Sequence, residues 1–375
     1  MSALFFYGTL RHLPLLEVVL GRSLRPETVH IGSLADHVVR WVKDEPFPMI
    51  QTSAGLTAEG LVVTELSDLD VARIDYYEGG FAYTLTPVEV DTAAGRLAAR
   101  VYLPDAGRWT AGEAWSLTQW EATWAALSVD TAGDVMRRFG DMPVEELQPL
   151  LPFLRARAWA RHLAKTPAPC TLRSDMGHDD IEIHHNRGGF DGFFSLQAFN
   201  LRHRKFNGDW TRVVGRESFV AFDAALILPY DPVTDRVLLI EQMRYGPIHR
   251  QDPHPWVFEP IAGLVDAGED PIETARREAV EEAQLTFDEI RPMSKVYPSP
   301  GYSSEFFHCF LGLCDLSARS GGLAGLASEN EDIRSHVLPF GTALDLVDSG
   351  EINAAPLVMM LFWLLRQRDA LRAEA

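Results

Sequence analysis

Glu278 and Glu282 stand four residues apart in Pro271 to Ala283, a segment whose residue pattern predicts a helix. Asp270 reads as its N-cap, Pro271 as its first residue and Glu273 as an acid in the first turn. At this spacing the two carboxylates leave one helix face about 6 Å apart, with Glu281 at the edge of that face. Like charges so close repel, so the pair calls for a cation, and hard carboxylate oxygens select Mg²⁺ or Mn²⁺ over a thiolate-seeking metal. Arg277, four residues before Glu281, can orient that glutamate, while Gly263 and Gly268 make the preceding loop tight enough to bring backbone carbonyls to the same ion. Taken alone, a Glu- and Arg-rich helix is usually a solvated face. The whole pattern of Gly263, Glu269, Arg277, Glu278, Glu281 and Glu282 decides against that, because average residue usage yields it on the order of 10⁻⁵ to 10⁻⁴ times per chain.

A second group lies far upstream. Phe6-Tyr7-Gly8-Thr9-Leu10-Arg11 closes a first strand and presents backbone amides around Gly8, a geometry suited to a carboxylate or phosphate. Glu78 precedes the Gly79-Gly80 turn among Tyr76, Tyr77 and Phe81, surroundings that would raise its pKa toward proton transfer near neutrality. The bland alternative is a turn glutamate in a domain that only binds a ligand or packs on its neighbour. His178, Asp179, Asp180, His184 and His185 have no compelling ligand spacing and read as a loop. Trp256 and Phe258 read as strand packing, with adenine stacking as the alternative.

These residues need elements to hold them. Short strand-like stretches run from Ala3 to Leu103, with Pro87 marking an edge or bulge. Helical spacing takes over from about Ala111 to Lys165, and Thr166-Pro167-Ala168-Pro169 reads as a boundary. One strand is expected over Ser218–Leu228 and a second over Val237–Ile240, joined as a hairpin through Pro229-Tyr230-Asp231-Pro232. Gly-rich residues 320–325 read as a mobile loop and Ala355–Arg368 as a buried helix. The expected domains are 1–110, a helical connector over 111–165, and 166–375.

A length of 375 residues allows two to three domains, and 46% apolar with 23% charged residues describes a packed globular chain. With 34 Lys+Arg against 53 Asp+Glu, the net charge of −19 repels nucleic acid and anionic membranes, so neither is expected as a partner. Phosphate chemistry on such a chain needs local Arg or divalent cations. The three cysteines, Cys170, Cys309 and Cys314, suit reduced thiols. Lacking a basic n-region or an apolar run of about 20 residues, the chain is expected in the cytoplasm.

The carboxylate segment resembles the Nudix box, G-x5-E-x7-R-E-U-x-E-E-x-G-U, at Gly263, Glu269, Arg277, Glu278, Glu281, Glu282 and Leu285. Gln284 replaces the second Gly, where a left-handed residue would cost about 1 kcal/mol. The likeness covers nearly all of 185–368 and is closest to ADP-ribose pyrophosphatases, through Glu241-Gln242-Met243-Arg244, Ser299-Pro300-Gly301 and Glu329-Asn330-Glu331. Pro300 lies fifteen residues past the box, the position that goes with ADP-ribose in this family. Tyr302 replaces a Gly common there. The resemblance implies an α/β/α sandwich and a Mg²⁺-dependent hydrolase of a nucleotide-sugar diphosphate, ADP-ribose to AMP and ribose 5-phosphate. It implies Glu278, Glu282, Glu331 and the Ala262 carbonyl as metal ligands and Glu329 as general base. Arg216 and Arg244 are implied as diphosphate contacts, and Glu305, Pro300 and Gly301 as substrate-site residues. It also implies a homodimer and carries a tellurite-resistance label. Hydrolysis of another nucleoside diphosphate derivative, or nucleotide sensing without turnover, are the competing readings.

The upstream pair resembles the gamma-glutamylcyclotransferase-like (AIG2-like) family over about residues 3–105. That likeness implies a mixed α+β barrel, with Tyr7, Gly8, Thr9 and Leu10 binding a gamma-glutamyl group and Glu78 as acid and base.

Overall fold

The computed structural model describes residues 2–79, 83–105, 107–166, 170–325 and 331–375. It forms two compact units, Met1–Ala158 and Trp159–Ala375.

In the first unit, strands β1 (Ser2–Phe6), β2 (Val29–Val42), β3 (Pro48–Leu66), β4 (Tyr83–Thr92) and β5 (Gly95–Pro104) close into a barrel. Its order is β3-β1-β5-β4-β2, returning to β3, with β6 (Ala111–Ala114) added on β2. The two-residue period of β1 sets the layers. Phe5 and Tyr7 point inward with Ile50, Val62 and Val101, whereas Leu4 and Phe6 face outward and meet the helices. These helices are α1 (Leu13–Leu20), α2 (Asp68–Glu78), α3 (Leu117–Met136), α4 (Val144–Leu147) and α5 (Leu151–Leu163). A Cβ on Gly60 would lie 2.4 Å from the Phe6 carbonyl oxygen, so only glycine allows the close approach of β3 to β1 at this point. The segment expected as a connector contributes Trp120, Ala132, Val135, Leu147 and Leu154 to this unit's core, and the boundary between units falls inside α5.

The second unit contains β7 (Ile181–Gly188), β8 (Ser195–His203), β9 (Val214–Val220), β10 (Asp223–Asp231), β11 (Arg236–Met243) and α6 (Tyr245–Arg250). Strands β12 (Trp256–Glu259) and β13 (Ile261–Leu264) lead into α7 (Pro271–Ala283), followed by β14 (Glu289–Val296) and β15 (Phe306–Leu313). The chain continues through β16 (Gly322–Ala324), β17 (Ile333–Pro339), α8 (Phe340–Ser349) and α9 (Ala355–Glu374). The main sheet runs β14-β15-β10-β11-β17-β16, with β13 on β10 and β12 on β11. Ala225 and Ile227 pack under Ala275, Ala279 and Ala283 of α7. Leu226 and Leu228, one residue out of phase, pack on α8 and α9, giving the α/β/α sandwich. No helix among the described residues is long and apolar enough to cross a membrane.

Four expectations need correction. The apolar run Ser218–Leu228 is two strands in different sheets, because the Ala221 amide donates to Ser304 Oγ instead of continuing a ladder. Gly322–Ala324, expected in a mobile loop, pairs with β17; Gly321 at φ +97° lets that edge approach Ser335. His184 and His185 lie in β7 rather than a loop. Trp256, expected in the packing of its strand, is 55% exposed, while Phe258 does pack on the apolar core.

Candidate active sites

Local rules place α7. Asp270 accepts a hydrogen bond from the Ile272 amide at 3.0 Å and Pro271 opens the helix, as its sequence requires. Gln284 ends it in the left-handed region at φ 51°, with the Leu285 amide donating to Ala279. Arg319 clamps that terminus by donating to the Ala283 and Gln284 carbonyls, which offsets the strain of a non-glycine residue there.

Glu282 is 2% exposed and accepts from the Ala262 amide at 3.1 Å. Burial pushes its carboxyl well above the usual range; the Ala262 amide opposes this, while Glu278 and Glu331 add to it. Glu278 is raised to about 7, mainly by burial, against the pull of Arg277. Arg277 ties the loop to the helix: it donates to Glu278 at 2.7 Å, Glu281 at 3.0 Å and Glu269 at 3.2 Å. Burial acts to lower the Arg277 pKa, but Glu269 and Glu278 outweigh it and raise it. The tie to Glu281 follows from helix spacing; the one to Glu269 is a long-range contact.

The donor chemistry fits a hard divalent cation: buried oxygen ligands whose charges repel and which Arg277 neutralises only in part. Among the described residues, no three acidic, His or Cys side chains are already drawn into one ligand cage. Glu278 and Glu282 are the buried carboxylates that could hold such an ion, with Glu331 near enough to raise the pKa of both.

Gly263 is part of the same construction. A Cβ there would lie 1.8 Å from Glu278 Oε1, so only glycine lets that carboxylate settle against β13. Gly263→Ala should displace Glu278 and cut diphosphate hydrolysis at least tenfold, read as kcat with circular dichroism confirming the fold. Near-normal turnover would show that Glu278 need not occupy this position.

Arg244, between β11 and α6, donates to Glu259 at 2.7 Å, and its charge acts to lower the pKa of both Glu282 and Glu305, so it lies close to the carboxylate group. Burial raises Glu305 before Arg244 opposes it. Pro300 and Gly301 form the turn in which the Tyr302 and Ser303 amides donate to Ser299. Arg216 is exposed on β9 and donates to the Gly215 carbonyl, and no hydrogen bond or ion pair among the described residues joins its side chain to this group. Glu329 lies outside the described residues. Glu259 was missed from sequence, as nothing local pairs it with Arg244.

In the first unit, a cavity of about 180 Å³ opens beside the Tyr7-Gly8-Thr9-Leu10 loop and is lined by Glu78, Tyr77, Tyr83 and Tyr102. This is below the roughly 300–1,000 Å³ of sites for drug-sized ligands, and suits a compact metabolite. Ser67 and Asp70 cap the start of α2, and Glu78 is its last residue. Burial alone raises Glu78 to about 7, and no described residue donates a hydrogen bond to it. Its charge reaches Tyr7, Tyr77, Tyr83 and Tyr102. Tyr76, expected beside Glu78, turns instead against Phe139; Phe81 lies outside the described residues. Sequence reasoning also missed the wall that α3 contributes through Trp124, Leu127, Ser128, Thr131 and Val135. Their helical spacing was the available signal.

The chain joins a barrel that holds a glutamate cavity to a sandwich that carries the carboxylate helix, and a family model matches each part. Residues 4–122 match the gamma-glutamyl cyclotransferase, AIG2-like model, and residues 221–354 match the NUDIX domain model. The chain belongs to the Nudix hydrolases of the ADP-ribose pyrophosphatase type, carries an AIG2-like domain before that part, and hydrolyses nucleoside diphosphate derivatives. The ADP-ribose pyrophosphatase of Escherichia coli (strain K12) is 41% identical over 206 residues, covering 55% of this chain and 98% of that protein. That of Haemophilus influenzae is 38% identical over 191 residues, covering 50% and 88%. A GDP-mannose pyrophosphatase of Salmonella choleraesuis is 32% identical over 174 residues, covering 46% and 89%.

Proposed function

We propose that the second unit hydrolyses ADP-ribose to AMP and ribose 5-phosphate with Mg²⁺, Mn²⁺ serving as a substitute. The observation that carries this is the buried Glu278–Glu282 pair facing Arg244, on a chain whose 41% identical relative is named for ADP-ribose. Glu278, Glu282, Glu331 and the Ala262 carbonyl would hold the ion, which supplies charge neutralisation on the diphosphate and an acidified water. Arg277 orients Glu278 and Glu281 so that their oxygens face inward. Arg244 and Arg216 hold the diphosphate oxygens, while Glu305, Pro300 and Gly301 border the sugar side. Glu329 takes the proton of the attacking water; its oxygen bonds to one phosphorus as the bridging P–O bond breaks. Exposed Phe190, Phe194, Phe206 and Phe219 on and beside β7–β9 support a second copy of the chain as partner. The reading places the enzyme in the cytoplasm.

Assay of AMP release from ADP-ribose and GMP release from GDP-mannose, each with and without Mg²⁺, tests this. ADP-ribose should be preferred at least tenfold in kcat/KM, with turnover lost in a chelator. A preference for GDP-mannose would reassign the substrate.

The Glu78 cavity favours a second activity. In this reading the gamma-glutamyl group of an amide lies on the Tyr7–Leu10 loop and its α-amine attacks the γ-carbonyl carbon. Glu78 accepts the amine proton and returns it to the leaving nitrogen as the C–N amide bond breaks, releasing 5-oxoproline and an amine.

A further inference from the structure

The second unit opens on Trp159, which neither family match contains: it lies after residue 122, where the first match ends, and before residue 221, where the second begins. Trp159 and Leu163 stand one turn apart at the end of α5 and share a face of that helix. Both pack against the apolar cluster that holds Ala275 and Ala279 of α7. Trp159 adds a directed contact to this packing, because its indole N–H donates to the backbone carbonyl of Glu269 at 3.0 Å. An indole has a single donor and no acceptor, so this one bond fixes how the ring meets the loop.

Glu269 is the residue through which the β13–α7 loop reaches the carboxylate group. Its side chain accepts from Thr274 Oγ1 at 2.7 Å and from Arg277 at 3.2 Å, while Arg277 also donates to Glu278 at 2.7 Å. The arginine is therefore shared between the loop and a carboxylate of the proposed cation site. Within the loop, the Glu269 amide donates to the Asp266 carbonyl at 3.0 Å, and the turn is made by Gly268 at φ +90°, which has no side chain to brace it. Trp159 braces the same residue from outside the loop.

We propose that Trp159 is a positioning residue for diphosphate hydrolysis: by holding the Glu269 backbone it keeps Arg277 drawn toward the loop, so that Arg277 does not close on Glu278 in competition with the divalent cation. This deepens the reading of Glu278 and Glu282 as holders of that ion, and rests on it. Without the indole donor, Glu269 shifts, Arg277 pairs more fully with Glu278 and the cation is held less tightly. A helix turn outside the Nudix-matched residues thereby sets the metal affinity of the hydrolase.

Trp159→Phe keeps an aromatic ring for packing and removes the N–H. Mn²⁺ is titrated into the full chain without substrate and followed by its electron spin resonance, the relevant site being the one lost in Glu282→Gln. Circular dichroism reports the fold of each variant. Trp159→Phe should weaken that site about fivefold, equivalent to about 1 kcal/mol and close to the net worth of one hydrogen bond. The Mg²⁺ concentration for half-maximal AMP release should rise by the same factor. Leu163→Ala loosens the same packing without touching the hydrogen bond, and should leave Mn²⁺ affinity within twofold. In a Glu269→Gln background, where the loop has lost its charged hold on Arg277, Trp159→Phe should add no further loss. A loss below threefold in Trp159→Phe, an equal loss in Leu163→Ala, or an undiminished effect in the Glu269→Gln background would overturn the role of Trp159 while the cation site stands. A wild type that holds no Mn²⁺ through Glu282 would remove the cation reading and this role together.

Discussion

Glu282→Gln is expected to reduce AMP release from ADP-ribose about 10³-fold in kcat, equivalent to some 4 kcal/mol of lost transition-state stabilisation. Glutamine keeps the volume of the 2% exposed side chain and can still accept the Ala262 amide, so packing is retained. What disappears is a negative oxygen where a cation and the diphosphate must be brought together. The same substitution should stabilise the protein in a chelator above neutral pH. Burial raises the folded pKa of Glu282 above its unfolded value near 4.5. A raised carboxyl gives stability that is present below the unfolded pKa and lost as pH rises through the folded one. Wild type therefore loses stability from about pH 4.5 upward, and the glutamine variant escapes this contribution. Denaturant midpoints at pH 5 and pH 8, with chelator, should show the variant gaining on wild type at pH 8. Retained turnover within threefold would reject Glu282 as part of the machinery, and a loss of stability at pH 8 would reject the electrostatic account.

The carboxylate helix was legible in the sequence because its determinants are local. Asp270, Pro271 and the i, i+4 spacing act within a few residues, and the structure reproduces the expected bounds, Pro271–Ala283. The Arg244–Glu259 pair and the clamp of Arg319 on Gln284 join residues 15 and 35 apart, and no periodicity announces them. The break between β9 and β10 was hidden for a similar reason: Phe219 to Leu228 is nearly unbroken apolar text, and the Ser304 hydroxyl that interrupts it comes 83 residues later than Ala221. In the first unit, the Tyr7–Leu10 loop and Glu78 could be named, but not their enclosure. Tyr83 and Tyr102 reach Glu78 from β4 and β5, paired strands whose register places both near the end of α2. Helix α3 carried a readable apolar and small-polar face, yet nothing in it says which surface that face covers.

That enclosure makes Glu78→Gln the sharper test of the first unit. Release of 5-oxoproline from gamma-glutamyl-alanine should fall by 10² to 10⁴, the usual worth of a positioned acid–base group. In the wild type the rate should rise with pH through about 7, because the ionised carboxylate must take the amine proton and burial holds its pKa there. A profile set by the substrate amine alone would lack that limb. Stability should move the opposite way. The contribution of Glu78 is full below about 4.5 and fades as pH climbs through about 7, so ionising it inside a ring of tyrosines costs on the order of 3 kcal/mol by pH 8. Glutamine avoids that cost. The variant should unfold at higher denaturant than wild type at pH 8 and at nearly the same concentration at pH 4.5. An inactive variant that gains stability identifies a group held against the preference of the fold for the sake of proton transfer. Persistent 5-oxoproline release would remove Glu78 from that role, and equal stability at pH 8 would show that the cavity solvates its charge.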